Sequence, residues 1–229
     1  MDQKFALADH IRKAVLTLQF QPGADLDEQA LGLDFELSRT PVREVLRMLD
    51  GQGYVDLRKN RGARVSELSA TTLRDFFLAA PMIYGAILRL AARNGTKSQL
   101  ETLQSAQSTF RATLRSGNVA DRALANVRFH EITGEMADNI YLLPSFNRLL
   151  IDHARIGMTF YRPQSTDMIE NLDKASQQHD AIIDAISHGD EEKAAALADE
   201  HWALSRGQIE LFVMPGGLDA PLGATPREA

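Results

Sequence analysis

Beyond residue 69 no stretch of this chain reads as a strand. Ala, Leu, Gln and Glu dominate, and the pattern is helical throughout. Asn94-Gly95, Ser116-Gly117-Asn118 and His188-Gly189-Asp190 punctuate it. The expected helices cover 70–94, 98–116, 119–138, 140–160, 165–188 and 190–213. Consecutive helices bury their apolar faces against one another, so this part is an all-α bundle. The last break is the clearest: glycine closes one helix, then Asp190 caps the next, with Glu191 and Glu192 in its first turn. Pro144 falls near a helix start, where it could kink the chain, and Pro81 lies deep enough to predict a bend. The segment 215–229, "PGGLDAPLGATPREA", reads as a disordered tail.

The first third differs. Phe5, Ala8, Ile11, Val15 and Leu18 recur at helical spacing, and "QPGADL" ends that helix. A short helix follows over Glu28–Leu33. Thr40-Pro41 reads as an N-cap and first-turn proline of a third helix, which runs to about Asp50 and stops at Gly51 and Gly53. Two extended runs, Tyr54–Leu57 and Ala63–Val65, flank a basic turn at Arg58–Gly62. Three helices and a two-stranded wing make a winged helix-turn-helix plan. The expected organisation is mainly α: a winged helix-turn-helix domain over 1–68, an all-α helical domain over 69–214, and the tail.

Charge separates the two parts further. The chain carries 31 Asp+Glu against 25 Lys+Arg, a net charge of −6. Residues 38–66 nevertheless hold seven cations and three acids, a net +4, leaving −10 for the other 200 residues. A basic patch on an acidic body points to a polyanionic partner for that patch, although a basic run more commonly means a solvated face. In "LSRTPVREVLRML", Arg39, Arg43 and Arg47 fall within an arc of about 80° at helical geometry. Val42, Val45, Leu46 and Leu49 occupy a separate arc roughly 110° away. One stripe packs on the domain and the next presents guanidinium. Ser38 and Thr40 add hydroxyls at the N-terminal end. These groups suit a major groove, with phosphates for hydroxyls and amides and guanine edges for arginine. Lys59, Arg61 and Gly62 in the wing suit a flanking phosphate or minor groove.

"LSRTPVREVLRMLDGQGYVDL" followed by "RGARV" resembles the DNA-reading half of GntR-type bacterial transcription regulators. The resemblance implies binding to a double-stranded operator, as a homodimer on a short pseudo-palindrome, with repression the usual outcome. It places DNA contacts at Ser38, Arg39, Thr40, Arg43, Arg61 and Gly62. Some members carry an arginine in the second helix where this chain has Gln29.

Three of the six histidines fall on apolar stripes of the helical part. His130 lies one turn after Asn126, so both side chains face the same way. His179 shares a stripe with Leu172, Ala175, Ile182, Ile183 and Ile186; His201 shares one with Leu197, Ala198, Leu204 and Leu211. His179 precedes the Gly189 turn by 10 residues and His201 follows it by 12, so antiparallel helices joined there bring the two imidazoles level. Imidazoles meeting between helices are how a bundle builds a metal site. Any one of them alone is more often a hydrogen-bonded core residue. His153 reads as core, Trp202 as packing, and His10 and His188 as surface.

"NVRFHEIT" and "QQHDAIIDAISHGDEEKAAALADEHW" are similar to the FCD ligand-binding domain of the FadR-like branch of the same regulators. In metal-binding members an Asp and a His one turn apart, with two later histidines, hold a divalent cation. Those positions fall on Asn126, His130, His179 and His201. Zinc, nickel and manganese are candidates, and asparagine in place of aspartate brings an oxygen without a charge. The resemblance implies a small carboxylic-acid effector beside the metal. An Arg and a Glu four residues apart are frequent in the domain's first helix; here the positions hold Ala80 and Tyr84.

Cysteine is absent, which excludes disulfides and thiolate metal sites. "MDQKFALADHIRKAV" has an acid at position 2 and charges inside its apolar pattern, unlike a signal peptide. No apolar run is expected to reach the ~18 residues that span a bilayer. These features predict a soluble cytoplasmic protein without a membrane partner. A ligand-responsive regulator with no enzymatic activity fits best. A helical metalloenzyme with an accessory nucleic-acid domain stands beside it, though no general base accompanies the histidines. So does a DNA-binding protein whose bundle only dimerises.

Overall fold

The structure, a computed structural model, describes residues 2–59, 61–116, 118–163 and 166–213. The tail over 215–229, and Gly117 in one of the expected breaks, lie outside the described residues. The first part holds α1 (Gln3–Leu16), α2 (Glu28–Asp34), α3 (Arg39–Gln52), β1 (Val55–Arg58) and β2 (Gly62–Val65). The second holds α4 (Ala70–Asn94), α5 (Lys97–Ser116), α6 (Val119–Ala137), α7 (Leu142–Phe160), α8 (Thr166–Ser187) and α9 (Glu191–Val213).

α1 and α3 bury complementary stripes against each other. Leu7, Ala8, Ile11 and Val15 of α1 meet Val42, Val45, Leu46 and Leu49 of α3 in one core cluster. This corrects two residues of the expected stripe. Phe5 is 60% exposed, because the i, i+3, i+4, i+7 face that reaches α3 is set by Leu7 and Ala8. Leu18 lies past the helix end, with a left-handed φ of 58°. The cap of α3 is Ser38, with extended backbone (φ −71°, ψ 169°), not Thr40. Pro41 is therefore the third helical residue. Its missing N–H is still harmless, since the first four amides of a helix lack intrahelical acceptors. Gly53, at φ 87°, closes α3 with the Tyr54 amide donating to the Leu49 carbonyl at 3.0 Å. The Leu57 amide donates to Asp50 Oδ1 at 2.8 Å, fixing the wing to the end of α3.

β1 and β2 are antiparallel, pairing Val55 with Val65 and Arg58 with Gly62. The stretch after α1 lies along β2: the Leu26 amide donates to the Ala63 carbonyl at 2.9 Å, and the Val65 amide to the Ala24 carbonyl at 2.9 Å.

In the second part the six expected helices are all present, with ends within two residues of expectation. Twelve of the nineteen residues of α6 are buried, which makes it the central helix. α4 packs on α9, α6 and α7 and continues as helix through Pro81. By length and composition α4 could cross a membrane, with a window of mean hydropathy 1.4. That corrects the expectation that no run is long and apolar enough. Part of that apolar content serves packing, with Phe76, Ala80, Tyr84, Ile87, Leu88 and Ala91 lining the bundle core, while Leu78 and Met82 are exposed. Gly189 (φ 66°) makes the α8–α9 turn, and Asp190 Oδ1 accepts from the Lys193 amide at 3.0 Å.

α7 joins the two parts. Its Ile151 and Ala154, with Val127 of α6, belong to the core cluster of the first part. Arg155, 1% exposed, donates from Nη1 to the Ser66 carbonyl at 2.7 Å and pairs through Nη2 with Asp152. Asp152 also accepts from Arg148 Nη1 at 2.8 Å. The Arg148 side chain lies against Gly53, where an added Cβ would clash with its Cδ.

Candidate functional site

Two places combine several of the expected residues. The first is a concave surface of about 1140 Å³ between α2, α3 and the wing. It is lined by Arg39, Arg43 and Gly62 of the expected contacts, together with Arg47, Arg58, Gln29 and Glu28. Ser38, Thr40 and Arg61 are exposed but lie outside its lining. The segregation on α3 is as the helical geometry requires: Val42, Val45, Leu46 and Leu49 are buried while Arg39, Arg43 and Arg47 are exposed. Arg64, part of the basic run, is internal to the domain instead. It bonds to the Gly23 carbonyl and to Glu67 at 3.0 Å. Sequence reasoning missed Glu28. Its Oε2 accepts from Arg43 Nε at 2.9 Å and lies 4.0 Å from Arg39 Nε. An acid in the first turn of α2 reads simply as a helix-dipole partner.

The second place is a cluster of buried imidazoles in the bundle. His130 on α6, His179 on α8 and His201 on α9 are 2%, 0% and 7% exposed. Ring centroids are 5.4 Å apart for His130–His179, 5.4 Å for His130–His201 and 4.8 Å for His179–His201. One nitrogen from each lies within 4.8 Å of the others. The Gly189 turn thus levels His179 with His201. Asn126, one turn before His130 on α6, is buried too.

The hydrogen bonds fix how these rings point. Gln107 on α5 uses its amide nitrogen toward three acceptors: the Ser176 carbonyl at 2.8 Å, Ser176 Oγ at 3.2 Å and Asp180 Oδ1 at 3.1 Å. Its oxygen therefore faces His179 Nδ1 at 2.9 Å and accepts from an Nδ1–H. That tautomer leaves a bare lone pair on His179 Nε2, which is buried without a partner among the described residues. His201 Nδ1 lies 2.9 Å from Gln178 Oε1 in the same way. His130 Nε2 is likewise buried and unpartnered among the described residues. Phe129 stacks on the His179 ring at 3.8 Å and 8°.

Burial, reinforced by the neighbouring imidazoles, holds His130 and His179 well below the ordinary histidine range. Burial pushes His201 down to about 3 and His153 to about 4. All four are neutral at neutral pH, the state a metal needs. Convergent neutral imidazoles, two orphaned Nε2 atoms and outer amides that set the tautomer together fit a divalent cation.

His153, buried as expected, also lines the small cavity beside the cluster. Tyr84, Leu88, His130, His153, Ile182, Ala198, His201 and Trp202 enclose about 10 Å³, room for roughly one water. Tyr84 and His153 are joined at 2.7 Å between the hydroxyl and Nδ1, and burial raises the Tyr84 pKa well above its ordinary value. Trp202 Nε1 is buried without a partner among the described residues. Among the described residues no charged side chain lines this cavity. Gln107 and Gln178 escaped sequence reading because each sits among polar residues with no signal of burial.

Residues 4–65 match the family model described as bacterial regulatory proteins, gntR family, and residues 81–204 match the FCD domain. A "Probable D-xylose utilization operon transcriptional repressor" of Paenarthrobacter nicotinovorans is 32% identical over 184 residues, covering 79% of this chain and 77% of that protein. An "HTH-type transcriptional repressor NanR" of Cronobacter sakazakii is 28% identical over 215 residues, covering 84% and 80%. Among solved structures, E. coli McbR/YncC has the same fold, with a TM-score of 0.76 at 16% identity, covering 93% of this chain and 99% of that one.

Proposed function

Starting from the fact that this chain belongs to the gntR family of bacterial regulatory proteins and carries an FCD domain, we propose that it is a cytoplasmic repressor controlled by a small acid. It is a DNA-binding transcriptional regulator, and the relatives it matches are regulators rather than enzymes. In our reading, a homodimer sets two copies of the α3–wing surface on a pseudo-palindromic operator. Ser38, Arg39, Thr40, Arg43, Arg61 and Gly62 make the contacts. The segregation on α3 carries this reading: three exposed guanidinium groups stand beside a fully buried apolar stripe. Repression follows the names of the relatives.

His130, His179 and His201, with the Asn126 carbonyl as fourth donor, would hold a divalent cation. When bound, the cation supplies positive charge where the lining residues have none. A carboxylate effector would rely on the cation for neutralisation, since no arginine or lysine among the described residues lines the cavity. The present cavity is too small for an organic acid, so its entry must displace the Tyr84 and Trp202 walls.

Two measurements test this. Duplexes selected from a random pool by the wild type should bind Arg43→Ala more weakly, by about 1–3 kcal/mol. Equal binding would refute the placement of α3 on DNA. Gently purified wild type should retain about one metal per chain and His179→Ala should not. Equal metal content in the two would remove His179 from the site.

A further inference from the structure

The partner of Arg43 is the unexpected element of the DNA-facing surface. Glu28 is the first residue of α2, and its side chain is only 16% exposed, between Arg43 at 44% and Arg39 at 75%. One carboxylate oxygen takes the Arg43 Nε–H at 2.9 Å. The other lies 3.4 Å from where a Cβ on Gly62 of the wing would stand. The carboxylate thus sits in the angle between the reading helix and the wing. A negative charge there opposes attraction to phosphate, so its presence calls for a compensating role.

The bond geometry supplies one. A guanidinium reads guanine O6 and N7 with two adjacent N–H groups. Arg43 is held by Nε alone, which leaves both terminal amino groups without a protein hydrogen bond among the described residues. A flexible arginine samples many rotamers and loses that freedom on binding. A half-buried acceptor at Nε restricts that freedom beforehand and leaves the terminal edge for the duplex. The same charge weakens attraction to any duplex, whatever its sequence.

We propose that Glu28 is a positioning residue that sets base specificity: it orients Arg43 for one guanine and lowers affinity for unrelated DNA. This rests on the reading of α3 as the recognition helix. The plain alternative is a staple between α2 and α3, which would affect stability and all DNA alike.

The experiment uses the full chain, operator duplexes selected from a random pool by the wild type, and a random-sequence duplex of equal length. Glu28→Gln should lower the ratio of operator to random affinity by about tenfold, within the range of one bidentate base contact. Random DNA should be bound as tightly as by the wild type, or more tightly. The lost preference should fall at the base pair where Arg43→Ala loses it, and Glu28→Gln combined with Arg43→Ala should discriminate no worse than Arg43→Ala alone. Glu28→Asp retains the charge but is one methylene short of Nε. It should lose preference without gaining affinity for random DNA, and it tests the proposal if Glu28→Gln folds poorly. The proposal is overturned if these variants weaken operator and random DNA equally, keep the preference, or add their effect to that of Arg43→Ala. If Arg43→Ala itself leaves operator binding unchanged, the recognition-helix reading fails and the role of Glu28 falls with it. Normal loss in Arg43→Ala with no loss in the Glu28 variants rejects Glu28 alone.

Discussion

Acidifying the metal-free protein from pH 7 to pH 5 should cost it a large part of its stability. His130, His153, His179 and His201 are all buried, and burial holds every one of their pKa values below the histidine norm of 6.5. Above pH 6.5 neither the folded nor the unfolded chain protonates these rings, so they contribute no pH dependence. Below it the unfolded chain binds protons that the folded core refuses, and stability falls with pH. Each ring contributes about 1.4 kcal/mol per pH unit. At pH 5 that is about 2 kcal/mol per ring and about 8 kcal/mol if all four stay neutral in the core. A domain's whole stability is about 5–15 kcal/mol. The other two histidines, His10 and His188, are exposed, and carboxylates titrate mostly below this window. Urea unfolding followed by circular dichroism, with a chelator present, at pH 7, 6 and 5 reads the effect. The midpoint should drop steeply, and His153→Gln should remove about a quarter of the slope. A midpoint unchanged between pH 7 and pH 5 would refute the reasoning.

Gln107→Leu removes the acceptor that holds the His179 tautomer. It should weaken zinc binding, measured by calorimetry, by about 10- to 100-fold, while the operator still binds. Gly53→Ala places a Cβ against Arg148 Cδ at a left-handed φ of 87°. The backbone conformation alone should cost about 1–2 kcal/mol, and displacing Arg148 from Asp152 adds to it. A melting temperature equal to wild type would contradict the contact.

The helices were legible because their apolar spacing is regular and Gly189, Asn118 and Asp190 mark their ends chemically. Asn118, for example, caps α6 by accepting from the Ala120 amide at 2.9 Å. The α3 cap was misplaced because Ser38 and Thr40 are both competent hydroxyls two residues apart, and only the backbone chooses between them. The level pairing of His179 with His201 could be read from their distances to one turn. The fourth imidazole could not, because His153 reaches the cavity through the packing of α7 on α4 and α6. Glu28 at Arg43 and Gln107 at His179 are contacts between elements 15 and 72 residues apart, which no periodicity encodes. The same holds for Ile151 and Ala154, apolar residues of the second part that complete the core of the first.

Because of that shared core, the reading head is not an interchangeable cartridge. Cutting after residue 68 would strip Ile151 and Ala154 from the head and release the Ser66 carbonyl from Arg155. Grafting a foreign head onto this body would leave the Arg155 guanidinium buried with one acceptor fewer. A buried donor left without its acceptor costs about 1–3 kcal/mol. Chimeras built to exchange operator preference should therefore carry α7 with the head, or replace Arg155 and Asp152 together by apolar residues of matching volume.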